Sequence, residues 1–283
     1  MAALSVNNHD RDSAGLTYVY PVLSRRAGGL SIGVNFNINN ACNWRCIYCQ
    51  VPDLSRGGPP ALDVALLAAE LRGLLADVAS GEFYRRFDLR PEQFPLRDIA
   101  ISGNGEPTSA AEFPEAVSLI GDIGRESGLF PGCNLVLISN GSLVNQVRVQ
   151  QGLRVLAEFG GEMWFKVDSA RAAGRRLLND APSSDAGLAR RIEIAAGLCR
   201  VKLQTCMLSY RDFAWDETEQ AAYLALLRRM LNDGVVIEQV LLYGLARESR
   251  QPEAGELVRV GVDEMRAFAA RIEALGVGVR VSG

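Results

Sequence analysis

Short apolar runs alternate with longer amphipathic stretches along the chain from residue 30 onward. The apolar runs are nearly continuous and rich in β-branched residues, which is typical of parallel strands buried on both faces. They predict six strands and a possible short seventh, at Leu30–Ile38, Arg97–Ser102, Asn134–Ser139, Glu162–Asp168, Arg200–Met207, Val235–Tyr243 and Val277–Val281.

The stretches between these runs have the 3.6-residue spacing of helices that pack on a sheet. Pro60–Val78 begins with prolines, Asp216–Leu231 has an acidic first turn, and Val262–Leu275 is closed by Gly276. Repeated βα units predict an α/β fold with a parallel sheet and right-handed crossovers. Six units favour a partial (β/α)6 TIM-like barrel over a closed eight-stranded one.

The composition, and the absence of linkers and of long apolar segments, indicate how the chain is organised and where it is located. No linker rich in Pro, Gly or Ser divides it, so we expect one barrel over residues 30–283 and an N-terminal extension over residues 1–29. A content of 48% hydrophobic and 22% charged residues is typical of a soluble globular protein. No segment has the length of a membrane-spanning helix, and the first residues do not form a signal peptide pattern, so we expect a cytoplasmic protein without a membrane partner. A pI near 5.4 argues against nucleic-acid binding through bulk positive charge.

Three of the six cysteines lie within eight residues, in the pattern CxxxCxxC formed by Cys42, Cys46 and Cys49. In a cytosolic chain such a cluster indicates metal binding rather than disulfides. Three thiolates on one loop can bind three irons of a [4Fe–4S] cube and leave the fourth iron open to another ligand. The alternative is a closed site, zinc or electron-transferring, with a fourth ligand from Cys133, Cys199 or Cys206. The only histidine is His9, so histidine chemistry has little to be built from.

Polar residues end three further predicted strands. The second strand continues into Gly103-Asn104-Gly105-Glu106-Pro107, the third ends in Ser139-Asn140-Gly141 and the fourth in Lys166-Val167-Asp168-Ser169. Glycines let a backbone approach a ligand closely, and a carboxylate can accept hydrogen bonds from an ammonium group. An ordinary tight turn is the alternative explanation for the first of these segments.

These motifs resemble the signature of the radical S-adenosylmethionine (radical SAM) superfamily: a cysteine triplet with an aromatic residue, Tyr48, before its last cysteine, and a segment similar to the family's GGEP motif with Asn104 inserted. The segment from Tyr18 through Leu54 is most similar to iron–sulfur oxidoreductases related to wyosine biosynthesis enzymes. The resemblance implies a [4Fe–4S] cluster on the three cysteines, reductive cleavage of SAM and hydrogen abstraction by a 5′-deoxyadenosyl radical. It also implies a reductant such as flavodoxin or ferredoxin, and SAM contacts from Tyr48, Gly103, Asn104, Gly105, Glu106, Ser139, Asn140, Asp168 and Ser169.

The resemblance leaves the substrate open. A modified tRNA base is suggested by the branch, and a small metabolite or a peptide by the acidic pI and the modest length. The chain has no second cysteine triplet, so the auxiliary cluster of wyosine-forming enzymes has no obvious ligands here. The alternative to an enzyme is a noncatalytic iron–sulfur protein that transfers electrons or carries a cluster.

Lysine occurs only at Lys166 and Lys202, both within predicted strands. A buried lysine can lose its proton and act as a nucleophile, which arginine cannot. Because strand side chains alternate, Lys166 shares a face with Asp168, and Lys202 with Gln204. Salt-bridged strand lysines are the alternative. We expect Lys166 to face the barrel lumen and to contact SAM or substrate, as a candidate catalytic residue.

Overall fold

The structure, a computed structural model, describes residue 4, residues 14–24 and residues 26–283. His9 and most of the first 13 residues lie outside the described residues. Among the helices that are described, none combines the length and the apolar character needed to cross a membrane.

The described residues form eleven strands, most of them at the predicted positions. They are β1 (Val19–Ser24), β2 (Gly29–Val34), β3 (Ala41–Cys42), β4 (Ser55–Arg56), β5 (Leu96–Ile101), β6 (Asn134–Ser139), β7 (Glu162–Lys166), β8 (Arg200–Tyr210), β9 (Gln239–Gly244), β10 (Leu257–Arg259) and β11 (Gly278–Ser282).

The main sheet has the order β1-β2-β5-β6-β7-β8-β9-β11. Every neighbouring pair from β2 to β11 is parallel, whereas β1 pairs antiparallel with β2 at one edge. β10 adds antiparallel to the end of β8, and β3 and β4 form a separate short parallel pair. The sequence of parallel strands and crossovers confirms the predicted partial α/β barrel.

Eight helices lie between the strands of the described chain. They are α1 (Val64–Ser80), α2 (Glu82–Arg86), α3 (Phe113–Glu126), α4 (Val147–Glu158), α5 (Ala172–Asn179), α6 (Asp185–Ala196), α7 (Glu217–Asn232) and α8 (Val262–Glu273). Their apolar faces and the sheet form the large core of the protein. A second, small apolar cluster of Ala100, Val136, Trp164 and Leu241 is separate from that core and comes from the strands alone.

Several predicted boundaries differ from the observed ones by up to four residues, as where β2 ends at Val34 and not at Ile38, and two of the differences have clear local causes. α1 begins at Val64 and not at Pro60, because the Asp63 carboxylate caps it by accepting from the Leu66 N–H at 2.9 Å. β9 begins at Gln239 and not at Val235, because the Val235 N–H donates to the Met230 carbonyl and completes the end of α7.

The predicted N-terminal extension contains a strand that the apolar pattern did not reveal. β1 includes Pro21, which cannot donate to a ladder and is tolerated only at a sheet edge such as this one. The buried carboxylate of Glu70 on α1 accepts from the backbone N–H groups of Thr17 and Tyr18, both at 2.8 Å. The segment immediately before residue 29 is therefore tied to the barrel.

Candidate functional site

A cavity of about 320 Å³ runs from the lumen of the half-barrel to the loops that follow the carboxyl ends of the strands. Active sites of parallel barrels lie at this end, because the βα loops converge there. The cavity wall includes most of the side chains selected from the sequence: Cys42, Cys46, Tyr48, Cys49, Gly103, Asn104, Gly105, Glu106, Ser139, Asn140 and Lys166.

The cysteine loop is closed at its base by the β3–β4 pair, in which Cys42 is opposite Arg56. One side of the loop rests on the end of α5. The Arg45 N–H donates to the carbonyl of Asn179 at 3.1 Å, and the Ile47 N–H donates to that of Leu178 at 2.9 Å. These bonds fix the middle of the loop relative to the fifth helix.

The other side of the loop is held by the segment that follows β9. The Ser249 hydroxyl donates to the Ile47 carbonyl at 2.8 Å, and the Arg250 N–H donates to that of Cys49 at 2.9 Å. The Gln251 amide donates to the Val51 carbonyl at 3.0 Å. The loop is therefore clamped from two sides, and sequence reasoning identified neither clamp.

The thiols of the loop lie in surroundings that suit metal-bound thiolates. Burial raises the pKa of Cys42 to about 11 and that of Cys46 to about 12. Donors nevertheless point at both sulfurs: the Trp44 N–H lies 3.4 Å from Cys42 Sγ, and Asn179 Nδ2 lies 3.3 Å from Cys46 Sγ. N–H donors to sulfur are a regular feature around iron–sulfur clusters, so the loop fits such a group.

Over the described part of the chain, no three Cys, His, Asp or Glu side chains converge as ligands of a single metal ion. The three thiols of the loop are instead distributed around the wall of one cavity. Each thiolate of a cluster binds a different iron, so ligands of a cube stand farther apart than ligands of one ion.

The other three cysteines occupy different places. Cys133 and Cys199 are buried in the main core, and each thiol donates to a nearby backbone carbonyl. Cys206 lines the lumen on β8, although its sequence context gave no sign of that. We predict that none of the three binds the cluster.

Glu106 is the centre of the second motif and is only 2% exposed. Its Oε1 accepts from the Thr108 and Ser139 hydroxyls at 2.6 and 2.7 Å, and its Oε2 accepts from the Asn140 N–H at 2.7 Å. Burial raises the pKa of this carboxyl, and the hydrogen bonds oppose the shift. Glu106 thus joins the ends of β5 and β6 into one unit.

Gly103 and Gly105 are required by the protein's own packing. A Cβ atom at Gly103 would overlap the side chain of Asn35, and one at Gly105 would overlap the Ala41 carbonyl and the Asn37 amide. The side-chain Oδ1 of Asn35 also accepts from the Asn104 backbone N–H at 2.9 Å. The inserted Asn104 is therefore accommodated against the run of asparagines before the cysteine loop.

That run is the main feature that sequence reasoning missed. Asn40 accepts from the Asn104 amide at 2.6 Å, and Asn43 accepts from the Asn140 amide at 2.8 Å while donating to Ser142 at 2.8 Å. These amides connect the cysteine loop to two strand ends. The signal was present in the sequence, which has five asparagines between residues 35 and 43.

Lys166 lines the cavity at the end of β7. Its Nζ lies 3.6 Å from Asp168 Oδ2, 4.7 Å from the centre of the Tyr48 ring and 3.4 Å from the Tyr243 hydroxyl. Burial opposes the charge on Lys166, but the nearby Asp168 outweighs it and raises the pKa of the ammonium well above its ordinary value. The ion pair with Asp168 therefore favours the charged form of Lys166.

Asp168 and Ser169 lie beyond the cavity wall. Asp168 accepts from the Tyr48 hydroxyl, from Asn179 Nδ2 at 2.7 Å and from the Cys206 N–H at 3.0 Å. The Ser169 hydroxyl faces the opposite way and bonds to Glu219 of α7. The Ser169 hydroxyl is therefore engaged with α7, and the predicted SAM contacts of Asp168 and Ser169 stay predictions.

Lys202 lies at the other end of the lumen and does not line the cavity. Its Nζ forms a 2.8 Å ion pair with Glu162, which also accepts from the Trp164 indole at 2.8 Å. Gln204, on the same face of β8, is part of the cavity wall. The two lysines therefore have different surroundings, as a salt-bridged scaffold residue and a cavity residue.

Comparison with protein-family models finds no match, and comparison with curated protein sequences finds none. Solved structures are similar over most of the chain. A radical SAM methyltransferase from Sphaerobacter thermophilus is 17% identical with a TM-score of 0.63, over 93% of this chain and 68% of that one. Spore photoproduct lyase is 13% identical with a TM-score of 0.52, over 86% of this chain and 74% of that one. The anSMEcpe structure with bound AdoMet is 13% identical with a TM-score of 0.51, over 85% of this chain and 60% of that one. The chain therefore has the fold of these radical SAM enzymes, which confirms the fold that the resemblance implied.

Proposed function

We propose that the protein is a radical SAM enzyme that acts on a substrate bound in the barrel lumen. The observation that carries the proposal is one shared cavity, lined by Cys42, Cys46 and Cys49 and by the polar ends of three strands. When bound, a [4Fe–4S] cluster and SAM would supply the electron and the 5′-deoxyadenosyl radical for hydrogen abstraction.

The protein's own part begins with holding the cluster. The three thiolates would bind it, and the N–H groups of Trp44 and Asn179 would reduce the negative charge on two of the sulfurs. The two clamps on the loop keep the thiolates in place relative to the strand ends.

SAM would lie between the loop and the strand ends. Glu106 Oε2 accepts one hydrogen bond from the protein and has capacity for the ammonium of the methionine part. Tyr48 would lie near the adenine, and Asn140 and Ser139 would contribute polar contacts. Lys166, which lines the same cavity, would contact the carboxylate of SAM or a polar group of the substrate.

The lumen favours an enzyme over an electron carrier. A carrier needs only the loop, whereas this cavity continues past it to Trp164, Gln204 and Tyr243. Such a half-enclosed space can exclude water around a reactive intermediate and orient a target bond. The physiological reductant is proposed to be a flavodoxin or a ferredoxin.

The test is anaerobic reconstitution followed by reduction with dithionite and SAM. We expect about four irons and four sulfides per chain, and conversion of SAM to 5′-deoxyadenosine and methionine. The triple variant with Cys42, Cys46 and Cys49 changed to alanine should lose both, whereas Cys133→Ala, in the core, should keep both. Near-full iron content in the triple variant contradicts the cluster assignment. A stable cluster without SAM cleavage indicates the noncatalytic alternative.

A further inference from the structure

Arg26 is a lumen cation that the proposed chemistry does not use. It lies in the turn between β1 and β2, and its side chain forms part of the cavity wall. The guanidinium carbon lies 5.1 Å from the centre of the Tyr243 ring and 5.8 Å from that of Trp164. Packing against ring faces leaves the in-plane N–H donors of a guanidinium available to a ligand.

Arg26 differs from the other lumen cations in lacking an ion-pair partner among the described residues. Lys166 is paired with Asp168, and Lys202 is paired with Glu162. The carboxyl group of the cavity wall on which the charge of Arg26 acts is that of Asp98. Asp98 accepts a hydrogen bond from the Ser31 hydroxyl. Burial raises the pKa of Asp98 to about 6 although Arg26 and Ser31 oppose the shift. Arg26 thus forms no close ion pair within the described residues.

Gln204 is the second unused polar group. It is 1% exposed and belongs to the cavity wall, yet its Nε2 has no hydrogen-bond partner in the described part of the protein. It is the register partner of Lys166 and lies one strand away from it. Leaving a buried amide unpaired costs about 1–3 kcal/mol, so a ligand that accepts a hydrogen bond from this amide would be stabilised there.

The wall beside these polar groups is apolar and partly aromatic. Trp164 and Ala100 belong to the small apolar cluster of the strands, Ile138 packs against that cluster, and all three line the cavity. A flat, unsaturated body fits against such a wall, since aromatic faces pack well with planar groups.

We propose that the lumen binds a small planar organic acid, with the Arg26 guanidinium holding its carboxylate, the Gln204 amide bonding to it and Trp164 packing on its body. A guanidinium fork matches a carboxylate in geometry and charge. The proposal rests on the proposed function in taking the lumen as the substrate site. It selects a small metabolite over a tRNA base or a peptide.

Anaerobic titration calorimetry on the reconstituted protein tests this without SAM or reductant. The probes are benzoate, phenylacetate and indole-3-acetate, each compared with its neutral amide. We expect at least one acid to bind tenfold or more tightly than its amide. Arg26→Gln should abolish that preference, and Gln204→Leu should weaken the acid severalfold. The matched control is Arg125→Gln, because Arg125 also packs on an aromatic ring, Phe159 at 4.3 Å, but on the protein surface.

Thermal unfolding and iron content establish that each variant is folded, and Arg26→Lys, which keeps the charge but not the fork, should retain an intermediate preference. The proposal is overturned if no acid binds more tightly than its amide, or if the preference survives Arg26→Gln. Saturable tRNA binding without an acid preference also overturns it. SAM cleavage without acid preference rejects this inference alone, whereas acid preference without SAM cleavage rejects the enzyme and keeps the binding site.

Discussion

Ionisation of the buried Asp98 carboxyl lowers the free energy of unfolding as the pH rises, and one substitution should remove this effect. Its side chain on β5 is buried, with 4% of the residue exposed, and it accepts a hydrogen bond from Ser31. Burial raises its pKa to about 6 from an ordinary 3.8, and the Ser31 hydrogen bond and Arg26 only partly oppose this. The folded protein therefore binds the Asp98 proton more tightly than the unfolded chain does.

The sign and size of the change in stability follow from the linkage between proton binding and folding. A raised carboxyl pKa gives stability that is present in acid and is lost as the pH rises toward the folded value. The shift from 3.8 to about 6 corresponds to about 3 kcal/mol at pH 7.5, and about half of that is already lost at pH 5. Asp98→Asn stays neutral and keeps an oxygen for Ser31, so it should be more stable than wild type by up to about 3 kcal/mol at pH 7.5.

For a chain of this length, about 3 kcal/mol corresponds to a rise in Tm of about 5 °C. Anaerobic thermal unfolding of the reconstituted protein at pH 5 and pH 7.5 measures it. Asp122→Asn, at an exposed position of α3, is the matched control and should change stability by less than about 0.5 kcal/mol. The reasoning is refuted if Asp98→Asn is less stable than wild type at pH 7.5, or if its advantage does not shrink at pH 5.

Three further substitutions test the site. Gly105→Ala should displace the cysteine loop and reduce bound iron by at least half. The control Gly73→Ala, at an open helix position, should stabilise the protein by about 0.5–1 kcal/mol. Equal iron content and equal Tm in the two variants would contradict the packing argument. Glu106→Gln places an N–H donor against the Asn140 N–H and should lower the free energy of unfolding in urea by about 2 kcal/mol. An unchanged unfolding midpoint would show that the carboxylate is not needed. Lys166→Arg should lower SAM cleavage at least tenfold with the cluster retained. The control Lys202→Arg keeps its ion pair with Glu162 and should cleave SAM normally. Wild-type cleavage by Lys166→Arg would remove Lys166 from the mechanism.

The sequence by itself determined the elements and the chemistry of the cysteine loop. The strand Asn134–Ser139 was predicted to the residue because its interior, 135–138, is a continuous apolar run, which is a local signal. The loop was identified because its three ligands are close in the chain. β1 was missed because Pro21 interrupts its pattern, although an edge strand tolerates it.

Only the tertiary structure decided which distant side chains meet. Asn179 reaches Cys46 across 133 positions, and Ser249 reaches Ile47 across 202, so no local pattern could connect them. The fold likewise turned Ser169 toward α7 and brought Arg26 from a hairpin turn into the lumen. Periodicity reports which face of an element is buried, whereas the partner on that face depends on how the strands are ordered in the sheet, which is a property of the whole chain.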